Sequence, residues 1–426
     1  MTNFSAALQF MNKVLRLPDN DLLKKHFLED ISYRSDQRNQ NNRFVGLQEY
    51  RIVSKRIAND KGFTVPIEVL ILTSSKYSMP ATKTYIERNS GKQYVGIVFR
   101  DDLVYHFESI FDRFRFWGFA IRIACTTFFN SSNRLNKALC IREVMEWARI
   151  AEILQTYGMK EFIDFSGYEK DSNALTAFLQ SRGIHVTKIP SPGPLYAHYK
   201  YVKADTLVLS SAYQQEEKTY LAANWEVNHY LYWPPEQSHT YEYIYANSNE
   251  PKLKTIGFYS HGEWLRRMEG HADPGLDILE NEEALLADLS QFLQRHKDYE
   301  LIIFPHPKER KSERTQRYYQ QKLSGVSFSF SPEGTPSAHL FHSVDVGLMA
   351  YSTLIFERIG MGYKTFIAKY TRSTFPVEGS SLNALLFNNA DTLEKQLLAT
   401  ENESRSKYFE RNNLSNHLIS NFTNQL

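Results

Sequence analysis

The stretch Val344-Asp-Val-Gly-Leu-Met-Ala-Tyr-Ser-Thr-Leu-Ile-Phe-Glu-Arg-Ile-Gly-Met-Gly-Tyr-Lys-Thr-Phe-Ile367 decides the fold class. Val344 to Met349 reads as a short buried strand and Ser352–Thr353 as a tight turn. A helix then opens, and Thr365 to Ala368 forms the next strand. Strand, turn, helix, strand is the unit of an open parallel sheet, which binds ligands outside the carboxyl ends of its strands. There the helix N-terminus favours an anion, and Ser352 and Thr353 add hydroxyl donors. Glu357, one turn along, is placed to accept the two hydroxyls of a ribose. The plainer reading is an ordinary N-capped helix.

A second segment strengthens the ligand reading. Leu301-Ile-Ile-Phe304 is a short apolar run followed by Pro305-His306-Pro307-Lys308-Glu309. Neither proline can donate to a ladder, so the strand stops there and His306 is held at its carboxyl end. A histidine so placed can donate to a phosphate oxygen without a metal. Lys308 adds positive charge and Glu309 a sugar or base contact. A third segment precedes both: Lys254 to Tyr259 as a strand, then Ser260, His261 and Gly262. Gly262 lets backbone approach a ligand, and Ser260 and His261 offer donors. The segment matches neither the dinucleotide fingerprint nor the P-loop. Glu282 to His296 follows as an amphipathic helix with Leu285, Leu286, Leu289, Phe292 and Leu293 on one face.

The order of a glycine-containing first loop, a His-Pro motif and a later Ser-Thr motif resembles the nucleotide-binding domain of GT-B glycosyltransferases. It is most similar to bacterial sialyltransferase-like and Kdo-transferase-like enzymes that use CMP-activated sugars. The resemblance covers about residues 252 to 390. It implies that His306, Pro307, Ser352 and Thr353 contact the nucleotide phosphate and cytidine. It also implies two Rossmann-like α/β domains facing a cleft, with the nucleotide sugar a substrate and no cofactor. Polyol-phosphate transferases look similar in this region, so CMP-sugar against CDP-polyol stays open. A nucleotide-sugar epimerase or a catalytically degenerate nucleotide-sugar-binding protein of the same architecture are the other readings.

A chain of 426 residues suits two domains. We expect an amino-terminal acceptor-side domain over 1–222, a linker over 223–251 and a nucleotide-sugar domain over 252–426, with its last helices packing back on the first. In the amino-terminal half, Pro66 to Leu72, Tyr94 to Phe99, Glu161 to Phe165, Ile184 to Ile189 and Asp205 to Leu209 read as strands. Glu143 to Tyr157 and a segment from Ser172 read as helices. Phe107 to Phe129 is aromatic-rich but interrupted by Asp112, Arg113, Arg115 and Arg122. As a helix it sets Phe114, Trp117, Ile121 and Phe128 to one side. That face meets a membrane surface or partner, or the helix packs on the sheet with its arginines outward.

Inverting sugar transfer needs a base for the acceptor hydroxyl and donors on the leaving phosphate. Glu169 and Asp171, in a loop between strand and helix, are the candidate bases, and Asp171 reads equally as a helix cap. Asp101, Asp102 and His198 are the rivals, and His306 is the catalytic donor to phosphate. No Asp-x-Asp at a strand end and no His-x-x-x-His pair is present, so no catalytic metal is expected. The net charge of +2 gives no sign of nucleic-acid affinity. Two cysteines, Cys125 and Cys140, imply neither a disulfide framework nor a zinc site. The first 20 residues lack an apolar h-region and no run reaches a membrane span. The expected partners are a nucleotide-sugar donor and a glycan or lipid-linked acceptor. The expected setting is cytoplasmic, with peripheral membrane contact.

Overall fold

The computed structural model describes residues 2–18, 20–25, 27, 67–73, 95–99, 107, 109–129, 134–167, 173–190, 197–232, 254–270, 277–371 and 379–418. The chain divides into two compact units. The first comprises Met1–Ser191, Leu195–Val208 and Leu221–Leu231, and the second Pro192–Pro194, Leu209–Tyr220 and Tyr232–Leu426. Each is an α/β unit built on a six-stranded sheet.

In the first unit the strands are β1 (Val69–Thr73), β2 (Val95–Phe99), β3 (Glu161–Gly167), β4 (His185–Pro190), β5 (Tyr201–Leu209) and β6 (Asn224–Tyr232). They lie in the order β2-β1-β3-β4-β5-β6, and β1 to β5 pair in parallel. The helices are α1 (Asn3–Arg16), α2 (Ile110–Phe129), α3 (Arg134–Thr156) and α4 (Asn173–Gln180). Val144, Trp147, Ala151 and Leu154 of α3 are all buried, as their spacing predicts. Trp147 stacks on Phe178 of α4 with ring centroids 5.8 Å apart. The helix α3 begins nine residues before the expected Glu143, and β5 four residues before Asp205. Both extensions are amphipathic stretches whose short polar interruptions obscure the period.

The second unit holds β7 (Thr255–Tyr259), β8 (Glu300–Phe304), β9 (Ser329–Phe330), β10 (Val346–Met349), β11 (Lys364–Ala368) and β12 (Leu386–Phe387). Their order is β12-β11-β10-β7-β8-β9, with all pairings parallel. Strands β7, β10 and β11 are buried along their whole length, which is why they read as apolar runs and not as alternation. The helices are α5 (Ala212–Tyr220), α6 (Glu263–Met268), α7 (Ile278–Arg295), α8 (Arg314–Lys322), α9 (Leu354–Gly360), α10 (Ala390–Thr400) and α11 (Arg405–Arg411). The predicted face of α7, Leu285 to Leu293, is buried in the core. Helix α5 belongs to this unit although it precedes the chain's return through β6. Its Tyr213 is fully buried 5.3 Å from Phe356, and its Glu216 accepts from the Ser381 amide at 2.9 Å.

From β7 the chain runs outward through β8 to β9, then crosses back to β10 on the other side of β7. The order therefore reverses between β7 and β10, the switch point where an open sheet parts its loops. The strand read from Val344 to Met349 starts instead at Val346, which leaves Asp345 outside it. Asp345 sits ahead of it, its amide donating to Thr255 O at 2.8 Å and its carboxylate 3.2 Å from Lys364 Nζ.

Candidate functional site

Three loops leave the carboxyl ends of the adjacent strands β10, β7 and β8, and side chains join them. The His261 ring stands edge-on to Tyr351 at 5.5 Å and lies 6.2 Å from the His306 ring. Gly262 adopts φ +74°, and a Cβ there would lie 3.0 Å from His306 Cβ. Only glycine serves at this point, since a side chain would be both strained and blocked. The first loop thus lies with its backbone directly against His306.

Beneath these loops is a layer of buried carboxyl groups. Glu309 is fully buried and accepts from the His306 amide at 2.6 Å, from Tyr319 Oη at 3.0 Å and from Trp264 Nε1. Burial raises its pKa above the ordinary carboxylate value. The sugar or base contact expected of Glu309 therefore gives way to a scaffold role: its acceptor capacity is used in fixing the His-Pro loop from below. Ser260 is also turned inward. Its Oγ accepts from the Gly262 amide at 3.0 Å and faces the carboxyls of Glu282 and Glu309, where it counters part of the rise in their pKa. Glu282, on α7, accepts from the His261 amide at 2.5 Å. Burial, reinforced by Glu309 and Glu263, pushes the Glu282 carboxyl up to about 8.

Both histidines are neutral at pH 7. Burial pushes His306 down to about 4, helped by Arg266 and Lys308. Burial likewise takes His261 down to about 3, with Arg266 and His306 adding repulsion. The His306 tautomer follows from its neighbours. The Lys308 amide donates to Nδ1 at 3.2 Å, so the single proton of the neutral ring is on Nε2. That Nε2 lies 3.5 Å from Arg266 Nη2, which is itself a donor. In that tautomer the ring and the guanidinium make no hydrogen bond to each other, and an acceptor placed beside both would receive one from each. Arg266 was not singled out from the sequence. The signal was present in its position one turn into the helix after Gly262, but only α6 packing beside the His-Pro loop gives it meaning.

The remaining candidates are distributed as follows. Pro307 and Lys308 are exposed on the His-Pro loop, and Ser352 and Thr353 are half-buried at the start of α9. Ser352 Oγ accepts from the Leu354 amide at 3.2 Å, which leaves its O–H to donate outward. Thr353 is the N-cap residue and makes no side-chain cap. Glu357 is buried within α9. Glu169, Asp171, Asp101 and Asp102 lie outside the described residues. His198 falls in a short 3₁₀ turn, Ala197–Lys200. Among the described residues no group of three or more His, Cys, Asp or Glu is arranged to hold a metal ion.

The buried carboxyl layer makes a testable statement about pH. Glu282 has a folded-state pKa near 8 against an ordinary 4.5, so the folded chain keeps a proton the unfolded chain has lost. Stability from this group is full below about pH 4.5 and is lost as pH rises through 8. Glu282→Gln keeps the acceptor for His261 and removes the titration. Its melting temperature should exceed that of the parent by several degrees at pH 8 and converge with it near pH 5. A parallel pH profile in a thermal melt would show that Glu282 does not hold its proton.

No family model matches this chain, and no curated protein matches it. Solved structures do. UDP-N-acetylglucosamine 2-epimerase from Rickettsia bellii is similar at 12% identity and a TM-score of 0.46, over 84% of this chain and 93% of that one. MurG from Acinetobacter baumannii is similar at 11% and 0.45, over 84% and 98%. The wall teichoic acid polymerase TagF is similar at 11% and 0.41, over 92% and 99%. The likeness concerns the fold, and nothing in the site is transferred from it.

Proposed function

We propose that the chain is a GT-B-type glycosyltransferase whose second unit holds a nucleotide-activated sugar over the ends of β7, β8 and β10. The observation that carries this reading is the pair of donors, His306 Nε2–H and Arg266, 3.5 Å apart. An anionic oxygen about 2.8 Å from each nitrogen would satisfy both. A leaving phosphate supplies such an oxygen, and charge grows on it as the sugar departs. Ser352 and Thr353 stand at the neighbouring loop as further donors. In the reaction the acceptor hydroxyl oxygen bonds to the anomeric carbon, the bond from that carbon to the phosphate oxygen breaks, and the nucleotide leaves with the electron pair. A carboxylate, Asp171 or Glu169, takes the hydroxyl proton. The donor is a CMP-linked acidic sugar and the acceptor a surface glycan or lipid-linked glycan. A CMP leaving group carries one phosphate, so His306, Arg266 and Lys308 together offset its charge without a metal.

A thermal-shift series with CMP, CDP, UDP and GDP tests the donor, because a ligand that binds only the folded state raises the midpoint. CMP should give the largest shift, transfer should persist in excess EDTA, and Asp171→Asn should reduce transfer while keeping the CMP shift. A larger response to CDP, with activity lost in EDTA and restored by magnesium, would move the reading to a CDP-polyol phosphotransferase. No shift with any of the four would overturn the nucleotide assignment itself.

A further inference from the structure

Helix α2 is apolar on both of its faces. One face, with Phe116, Phe119, Ala120 and Ile123, is buried in the first unit. The opposite side carries Ile110, Phe111, Phe114, Trp117, Ile121 and Phe128, exposed by between 40% and 71%. Six of the eleven large apolar side chains exposed among the described residues are on this one helix. At 100° per residue Ile110, Phe114, Trp117, Ile121 and Phe128 fall within a sector of about 60°, a crest about 27 Å long. A helix apolar all round is ordinarily buried on all sides or set in lipid, and no described helix is long and apolar enough to cross a membrane.

The charges choose between occupants. On the same wheel Arg113 borders one side of the crest, and Arg115 and Arg122 border the other; all three are exposed. The sole acid of the helix, Asp112, is buried, 3.6 Å from Arg115. Arg122 bonds Asn12 of α1. Asn12 lines a recess of about 540 Å³ that also has Lys13 and Arg16 on its wall. The crest is therefore apolar in the middle and cationic along both flanks. Cationic flanks of this kind suit the anionic headgroups of a lipid surface.

We propose that α2 lies in the plane of an anionic lipid surface, its crest among the acyl chains and its flanking arginines on lipid phosphates. Aromatic side chains suit that boundary, with Trp117 at the middle of the crest. The arginines reach headgroups by lying along the crest with their charged ends at its edges. Lys13 and Arg16 extend the cationic border and offer a seat for a headgroup phosphate. This inference stands apart from the nucleotide site, which belongs to the other unit.

Co-sedimentation of the full chain with vesicles tests it. Binding to phosphatidylcholine vesicles containing phosphatidylglycerol should be at least tenfold tighter than to phosphatidylcholine alone, and should weaken in high salt. Phe114→Ser with Ile121→Ser should cost at least tenfold in vesicle binding while the thermal melt and the nucleotide-induced shift stay unchanged, since both side chains are exposed. Arg113→Gln and Arg122→Gln should each cost about fivefold on the anionic vesicles only. Failure of the parent chain to sediment with anionic vesicles would overturn the proposal. So would a concentration-dependent dimer in sedimentation velocity that Phe114→Ser abolishes, which would make the crest a protein contact.

Discussion

Replacing His306 with alanine should lower turnover by about 100-fold or more and remove most of the nucleotide-induced thermal shift, the scale of losing one oriented donor to a developing charge. The imidazole is a neutral donor because burial and two cations hold its pKa near 4, so its N–H is available throughout the working pH range. Its aim is fixed from three sides. The Lys308 amide holds Nδ1, Glu309 holds the backbone, and Gly262 packs against Cβ. Arg266→Ala should give a similar loss, and the double variant should lose less than the product of the two, since both donors serve one oxygen. Steady-state kinetics on folded proteins decide this. Near-normal turnover in His306→Ala would remove the anion from this position.

The largest expected effect on stability is at Arg358, which is fully buried beneath the sheet's switch point. Its Nη1 donates to Tyr259 Oη at 2.8 Å, its Nη2 to Lys364 O at 3.0 Å and its Nε to Thr365 Oγ1 at 3.3 Å. The guanidinium also lies 4.9 Å from the Phe341 ring centroid, 5.2 Å from Tyr259 and 5.4 Å from Tyr363. Arg358→Met would fill the volume of the stem and leave the Tyr259 hydroxyl and the Lys364 carbonyl without their donor. The cost should be about 3 kcal/mol, the range for stranding buried polar groups. Gly347 in β10 is the counterpart of this packing. A Cβ there would lie 2.9 Å from Arg358 Cδ and closer still to Nε. Gly347→Ala should therefore cost about 1–3 kcal/mol by overpacking. Combined with Arg358→Met it should be far less damaging, because the obstructing side chain has gone. Urea unfolding measures all three, and a parental midpoint in Arg358→Met would refute the account.

Helix and strand positions in the second unit were legible because its signals are strong and local. Pro305 and Pro307 bracket His306 and end β8. Leu285 to Leu293 mark one face of α7 at helical spacing, and an unbroken apolar run marks β10. The first unit was less legible. The helix α3 and strand β5 both start earlier than their periodicity suggested, where polar residues break the pattern. Residues facing the loops were harder still. Ser260 and Glu309 are of the right types and in the right loops to meet a ligand. Burial decides otherwise, turning both toward the carboxyl layer under the site.

The sequence by itself determined what depends on neighbours along the chain. These are the parallel α/β character, the strand ends, the glycine needed at 262, and a histidine held at a strand terminus. Backbone sterics and short-range periodicity suffice for each of them. The tertiary structure alone decided what depends on residues far apart. Arg266 meets His306 across 40 positions, and Glu282 reaches the His261 amide across 21. Arg358 reaches Tyr259 across 99. On the outside, α2 kept Phe114 and Ile121 in solvent, although their composition fits a core equally well. Charge state, donor direction and exposure are set by what surrounds a group in space, and the order β12-β11-β10-β7-β8-β9 supplies those surroundings.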